Sequence, residues 1–276
     1  MVTRVDYEAR AVHAARSVLL ELTHLLGAYH EDIVLVGGWV PGLLLPSKES
    51  PHVGSTDVDL ALDHRRIEVE GYETILKLLK FRGYEEGSQP FIFFRKLIVE
   101  GQEITVQVDL LAGEYEGVGR KHRHQKVQDV HARKARGCDL AFEHPVEIKL
   151  EGDLPDGGKD SVTVRVASIV PFIVMKGMAL ADRMKEKDAW DIHYCLKHYP
   201  GGLDSLAQAF KPFMSHGLVK EGLEKIAEKF ASEKHVGPKF VADFEEISDT
   251  EERALLQRDA FERVDYLLKK LAIKGP

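Results

Sequence analysis

Two aspartates two positions apart, Asp57 and Asp59 in STDVDLAL, and a third, Asp109 in ITVQVDLL, are the residues best placed for chemistry in this 276-residue chain. Both segments have the β-branched and leucine-rich make-up of strands. Side chains alternate faces along a strand, so Asp57 and Asp59 project to one side while Val58 and Leu60 go to the other. In the second segment Ile104, Val106, Val108 and Leu110 occupy one face, and Thr105, Gln107 and Asp109 the other. If the two strands are neighbours, the three carboxylates converge. Unpaired like charges held that close repel, and burial pushes one of them to protonate unless a cation sits between them. A hard divalent ion, Mg²⁺ or Mn²⁺, is the natural partner.

The elements that position these carboxylates start upstream. An apolar strand, Ile33 to Val36, runs into Gly37-Gly38. Without a Cβ the backbone there can turn tightly and bring its N–H groups to a phosphate, at the start of a helical stretch from Trp39 to Leu45. Ser55 and Thr56 add hydroxyl donors for the same phosphates. The order strand, Gly-Gly, helix, Asp-x-Asp on a strand points to metal-dependent nucleotidyl transfer with an NTP as substrate. Pro46 to Gly54 is a loop by composition, and His52 within it is read as a solvated loop histidine.

Around this core, residues 5 to 28 form an amphipathic helix and Ile67 to Lys80 a second. Phe91 to Val99 and Glu103 to Leu111 are strands joined by a turn at Glu100-Gly101-Gln102. The basic stretch from Gly119 to Gly137 is read as loop and helix. Its Arg120, Lys121, Arg123, Lys126, Arg133, Lys134 and Arg136 offer an electrostatic contact for a polyanion such as RNA. A hairpin follows, Val146 to Leu150 with Ser161 to Ile169. From Pro171 the pattern is helical to Lys274, which sets a boundary near residue 168, between domains 1–168 and 169–276. In the first of these helices Lys176 and Arg183 are seven apart, share a face and can reach one triphosphate. Asp188 and Asp191 open the next helix, where they complement its dipole.

Composition narrows the class. A formal charge of −7 excludes a generic nucleic-acid coat, so any such contact is local. Two cysteines, Cys138 and Cys195, far apart, indicate neither a disulfide framework nor a zinc site and suit a cytoplasmic location. The first residues mix charges through an amphipathic pattern unlike a signal peptide, and no apolar run is long enough to span a bilayer.

The Gly37-Gly38, Asp57-x-Asp59 and Asp109 arrangement resembles the DNA polymerase β-type nucleotidyltransferase superfamily. Within it, MKGMALADRMKEKDAWDIHYCL is similar to the signature of AbiEii-type nucleotidyltransferase toxins: a helix lysine, an arginine one to two turns on, then Lys-Asp-x-x-Asp. The resemblance spans roughly residues 30 to 200. It implies an α+β nucleotidyltransferase fold, a mixed β-sheet flanked by helices, followed by a C-terminal helical domain that closes the active-site cleft. It implies transfer of an NMP from an NTP to an acceptor, in some members the 3′ end of tRNA, and a cognate antitoxin or a phage-defence setting. On this resemblance Asp57, Asp59 and Asp109 are the metal ligands. With Lys176, the helix lysine near the phosphates, they are also the catalytic residues, and Gly37 and Gly38 are the phosphate loop. Together with Ser55, Arg183 and Asp188, read from their positions in the chain, Gly37, Gly38 and Lys176 make up the expected nucleotide-binding residues. A small-molecule acceptor such as an antibiotic, a protein hydroxyl acceptor, and a non-catalytic nucleotide-binding module are the competing readings.

Overall fold

The structure, a computed structural model, describes residues 3–67, 73–114 and 124–273. The sheet-forming part runs through helix α1 (Ala9–Leu25), strand β1 (Ile33–Val36), a short helix α2 (Val40–Leu44), β2 (Asp57–Leu62), α3 (Ile75–Phe81), β3 (Glu85–Glu86), β4 (Ile92–Val99), β5 (Gln102–Ala112), β6 (His124–Val127), β7 (Val130–Lys134), β8 (Val146–Asp153) and β9 (Lys159–Val166). The helices that follow are α4 (Ile169–Arg183), α5 (Glu186–His198), α6 (Gly202–Phe210), α7 (Gly217–Lys229), α8 (Val236–Phe244) and α9 (Thr250–Lys270). These elements fall into two compact units. One holds Tyr7–Val40 and Gly54–Ser168; the other holds Met1–Asp6, Pro41–Val53 and Ile169–Pro276.

The first unit is built on a mixed sheet in the order β3-β4-β5-β2-β1-β9-β8. β2 and β5 are parallel neighbours, with β1 antiparallel to β2 and β4 antiparallel to β5. Beyond the end of β4, β5 pairs in parallel with β7, which forms a hairpin with β6. The stretch expected as basic loop and helix is therefore a β-hairpin from His124 to Lys134, with no helix in its described part.

α1 buries Ala14, Ala15, Val18, Leu19 and Leu22, a stripe at helical spacing. Leu22 and Leu26 line a small gap together with Leu35 and Leu60, so α1 covers the face toward which Leu60 points. By alternation, Asp57 and Asp59 project from the opposite face. Buried Glu21 ties α1 to the sheet by accepting from Arg95 Nε at 3.0 Å and from the Tyr84 hydroxyl at 2.9 Å.

The β4–β5 turn has Glu100 and Gly101 both at positive φ, 50° and 80°, the primed geometry that matches the twist of two-residue hairpins. α3 starts at Ile75, later than the helix expected from Ile67. Its first N–H groups are taken by side chains: Ile75 donates to Gln128 Oε1, Leu76 to Asp129 Oδ1 and Lys77 to Thr74 Oγ1. Gln128 and Asp129 form the tip of the β6–β7 hairpin, so a partner distant in sequence sets where this helix begins.

In the second unit α5 is buried without a break from Lys187 to Leu196. A helix enclosed on all sides is expected to be apolar, so each of its polar residues needs a partner. α4 crosses α7 closely because both contribute glycine. A Cβ on Gly177 would lie 2.6 Å from the Gly222 carbonyl oxygen.

Candidate active site

Asp57, Asp59 and Asp109 come together through strand register. Asp59 of β2 lies directly beside Asp109 of β5, and Asp57 beside Gln107. Ligand-capable atoms of the three carboxylates all lie within 4.8 Å of one another, and no other such group of His, Cys, Asp or Glu occurs among the described residues. Asp57 and Asp59 are half-buried and Asp109 is buried. Three carboxylates in that space are mutually repulsive unless a cation joins them, and an all-oxygen donor set fits a hard divalent ion.

The Gly-Gly turn is part of the same construction. Val36, the last residue of β1, pairs with Asp59, and Gly37 follows at φ +71°. A Cβ there would lie 1.9 Å from Asp59 Oδ2, so glycine is what lets the carboxylate lie over the turn. Gly38 and Trp39 complete a single 3-10 turn and are buried. The Trp39 indole donates to the Asp57 backbone carbonyl at 2.8 Å, which pins the start of β2. Ser55 Oγ donates to Asp57 Oδ1, and Gln107 Nε2 donates to Asp109 Oδ2 at 2.7 Å. Cys138 also sits close by but is no nucleophile. Burial, then Asp139 and Asp59, push its thiol well above the ordinary range.

In the helical unit the structure collects the second group of expected residues into one buried network. Lys176 Nζ lies 2.9 Å from Asp188 Oδ1 and 2.7 Å from Asp191 Oδ2. Arg183 forks onto both oxygens of Asp188 at 2.7 Å, and Lys187 donates to Asp191 at 2.9 Å. Burial alone would lower the Lys176 ammonium, but Asp188 and Asp191 outweigh it and hold the lysine charged. Likewise burial would raise Asp191, and Lys176 and Lys187 hold it far below the usual carboxylate range. Asp188 and Asp191 are thus counter-ions of a buried cluster in addition to standing at the helix start.

His52 differs from its reading as a solvated loop residue. Its side chain is fully buried and bonds Asp191 Oδ1 at 2.9 Å, between the rings of Trp190 and Tyr194. Burial, then the neighbouring Lys187, pull its pKa down to about 4, so the imidazole is neutral at physiological pH. The Tyr194 hydroxyl holds the same loop by donating to the carbonyls of Leu45 and Ser50.

The family model for the AbiEii toxin, a nucleotidyl transferase of a type IV toxin–antitoxin system, matches residues 25–269. The chain belongs to this AbiEii family. It is accordingly a nucleotidyltransferase, with the α+β architecture expected of one. Among solved structures the chain is similar to MenT4, a nucleotidyltransferase toxin from Mycobacterium tuberculosis H37Rv, at 12% identity and TM-score 0.40, over 99% of this chain and 94% of that one. No curated protein matches the sequence.

In this AbiEii-family chain the basic stretch is only partly described. Arg120, Lys121 and Arg123 lie outside the described residues. Lys126 and Arg136 are exposed, and Lys134 is half-buried. Arg136 is paired with Glu114, while Arg133 is half-buried with its guanidinium 6.0 Å from the Phe91 ring centre. Arg133 pairs with Leu111, two residues beyond Asp109 on β5. Three participants were given no role from the sequence. Gln107 was placed on the face of Asp109 by alternation, but its hydrogen bond to that carboxylate was not foreseen. Trp39 and His52 carried no local signal, because their partners lie 18 and 139 residues away. Among the described residues no helix is long and apolar enough to cross a membrane.

Proposed function

We propose that the enzyme uses a divalent ion, Mg²⁺ or Mn²⁺, to move an NMP from an NTP to RNA, with the 3′ end of tRNA as the preferred acceptor and a separate antitoxin chain as its partner. The observation that carries the metal reading is the in-register trio Asp57, Asp59 and Asp109, with the Asp59 carboxylate seated over the Gly37 turn where a Cβ would collide with it. These three would hold the ion, which supplies charge neutralisation at the triphosphate and activation of the acceptor hydroxyl. The chain itself contributes fixed donors. Backbone N–H groups at Gly37 and Gly38 serve the nucleotide's phosphates, while the Ser55 hydroxyl, its proton given to Asp57 Oδ1, holds that carboxylate in place, so little reorganisation is needed as charge develops on the leaving pyrophosphate. In the helical unit Arg183, 42% exposed, is the phosphate-seeking residue, and Lys176, 9% exposed and tied to both Asp188 and Asp191, holds the network that orients it.

The RNA reading is supported by the β6–β7 hairpin, which joins the sheet at the carboxylate strand. A strand advances about 3.3 Å per residue and its neighbour lies about 4.8 Å away, so the backbone at Arg133 is within roughly 10 Å of that at Asp109. Lys126, Lys134 and Arg136 on or beside this hairpin suit an RNA backbone.

The test is incubation with each α-labelled NTP in turn, total tRNA and Mg²⁺ or Mn²⁺, alongside Asp57→Ala. Label on RNA that needs the intact protein supports the reading and names the nucleotide. Label on protein, or transfer only to an added aminoglycoside, overturns the RNA acceptor, and unchanged transfer by Asp57→Ala overturns the metal assignment.

A further inference from the structure

We propose that Gln107 is a positioning residue of the acidic site: its amide sets the orientation of Asp109 and thereby the affinity for the divalent ion, a role that rests on the metal reading above. Gln107 stands in β5 beside Asp57 and two residues before Asp109, so all share one face. Its Nε2 donates to Asp109 Oδ2 at 2.7 Å. An ionised carboxylate only accepts hydrogen bonds, so the amide nitrogen, not its oxygen, faces Asp109.

Asp109 needs such a donor more than its two partners do. It is 6% exposed, so bulk water does little to satisfy or orient it. A neutral N–H tied to one carboxylate oxygen fixes the direction of the other and leaves the negative charge intact for a cation. Lysine or arginine at this position would orient Asp109 equally well but cancel charge the ion requires. Glutamate would add a fourth like charge. Asparagine, one methylene shorter, would fall short along the strand. Ser55 does for Asp57 what Gln107 does for Asp109, again through a neutral donor. Outer partners of this kind hold ligating oxygens in place, and their loss commonly weakens metal binding about 10- to 100-fold.

The experiment titrates Mn²⁺ into the full chain without nucleotide and counts free and bound ion by electron paramagnetic resonance. It compares the parent protein with Gln107→Met, Gln107→Asn and Asp109→Asn, and records each melting temperature in EDTA. Methionine matches glutamine in length and lacks the donor, while asparagine keeps a polar side chain that cannot reach. The expected result is Mn²⁺ binding weakened about 10- to 100-fold in both Gln107 variants, with melting close to the parent's. Parental Mn²⁺ affinity in either folded Gln107 variant, while Asp109→Asn loses the ion, overturns the positioning role and leaves the metal reading standing. A parent protein that binds no Mn²⁺ overturns both.

Discussion

Gly37→Ala isolates the contact on which the acidic site is built. The new methyl would lie 1.9 Å from Asp59 Oδ2 and 2.7 Å from its Cγ, where ordinary contact starts at 3.4 Å. Turn and carboxylate must therefore part by about 1.5 Å, and the φ of +71° adds a backbone cost of roughly 1–2 kcal/mol for any L residue. Gly101→Ala supplies the control. Gly101 has φ +80° and a methyl there meets nothing within 4 Å, so it bears the backbone cost alone. The difference between the two variants is the displacement of Asp59. A misplacement of about 1 Å in a reacting constellation costs on the order of 100-fold in rate, or about 2.7 kcal/mol of transition-state stabilisation. Single-turnover transfer from an α-labelled NTP should thus fall by roughly 100-fold or more in Gly37→Ala and stay parental in Gly101→Ala. Both should melt lower, by about 2–4 °C for each kcal/mol lost. Transfer at the parental rate by a folded Gly37→Ala protein would refute the argument that Asp59 depends on that turn.

Asp59→Asn should melt higher than the parent in EDTA, because one of three crowded like charges is gone, and should lose any stabilisation by Mn²⁺; a persisting Mn²⁺ shift would remove Asp59 from the ligand set. Asp191→Asn leaves Lys176 and Lys187 facing a neutral group in a buried site and should cost roughly 3–5 kcal/mol in urea unfolding, against no measurable loss if the cluster is idle. His52 is held neutral with a pKa near 4 against an ordinary 6.5. Between those values the unfolded chain takes up a proton that the native state refuses, so stability is full above pH 6.5 and falls as pH drops toward 4, by roughly 3 kcal/mol in all. His52→Gln should flatten that limb of the stability curve, and an unchanged slope would assign it to another group. Replacing Lys126, Lys134 and Arg136 with glutamine should lower the slope of log affinity for RNA against log salt by up to about 2, and an unchanged slope would remove the hairpin from the RNA interface.

Much of the site was legible in the sequence because the relevant physics is local. Alternation along a strand places Asp57 with Asp59, and Gln107 with Asp109, whatever the strands pair with. The same rule separates the apolar faces of Val58, Leu60, Val106 and Val108, all of which are buried. The span of β1 and the tight turn after Val99 followed from composition and chain geometry alone, though Gln102, expected in that turn, already belongs to β5. Partnership is not local. That β2 and β5 are parallel neighbours with Asp59 beside Asp109 depends on register between segments fifty residues apart, which no periodicity encodes. The seating of Asp59 over Gly37, the burial of His52 against Asp191 and the start of α3 at Ile75 depend equally on tertiary contacts. Sequence by itself determined which side of each element carries its charge. Only the tertiary structure decided which charges meet, because a side chain's neighbours across space are set by how the elements pack.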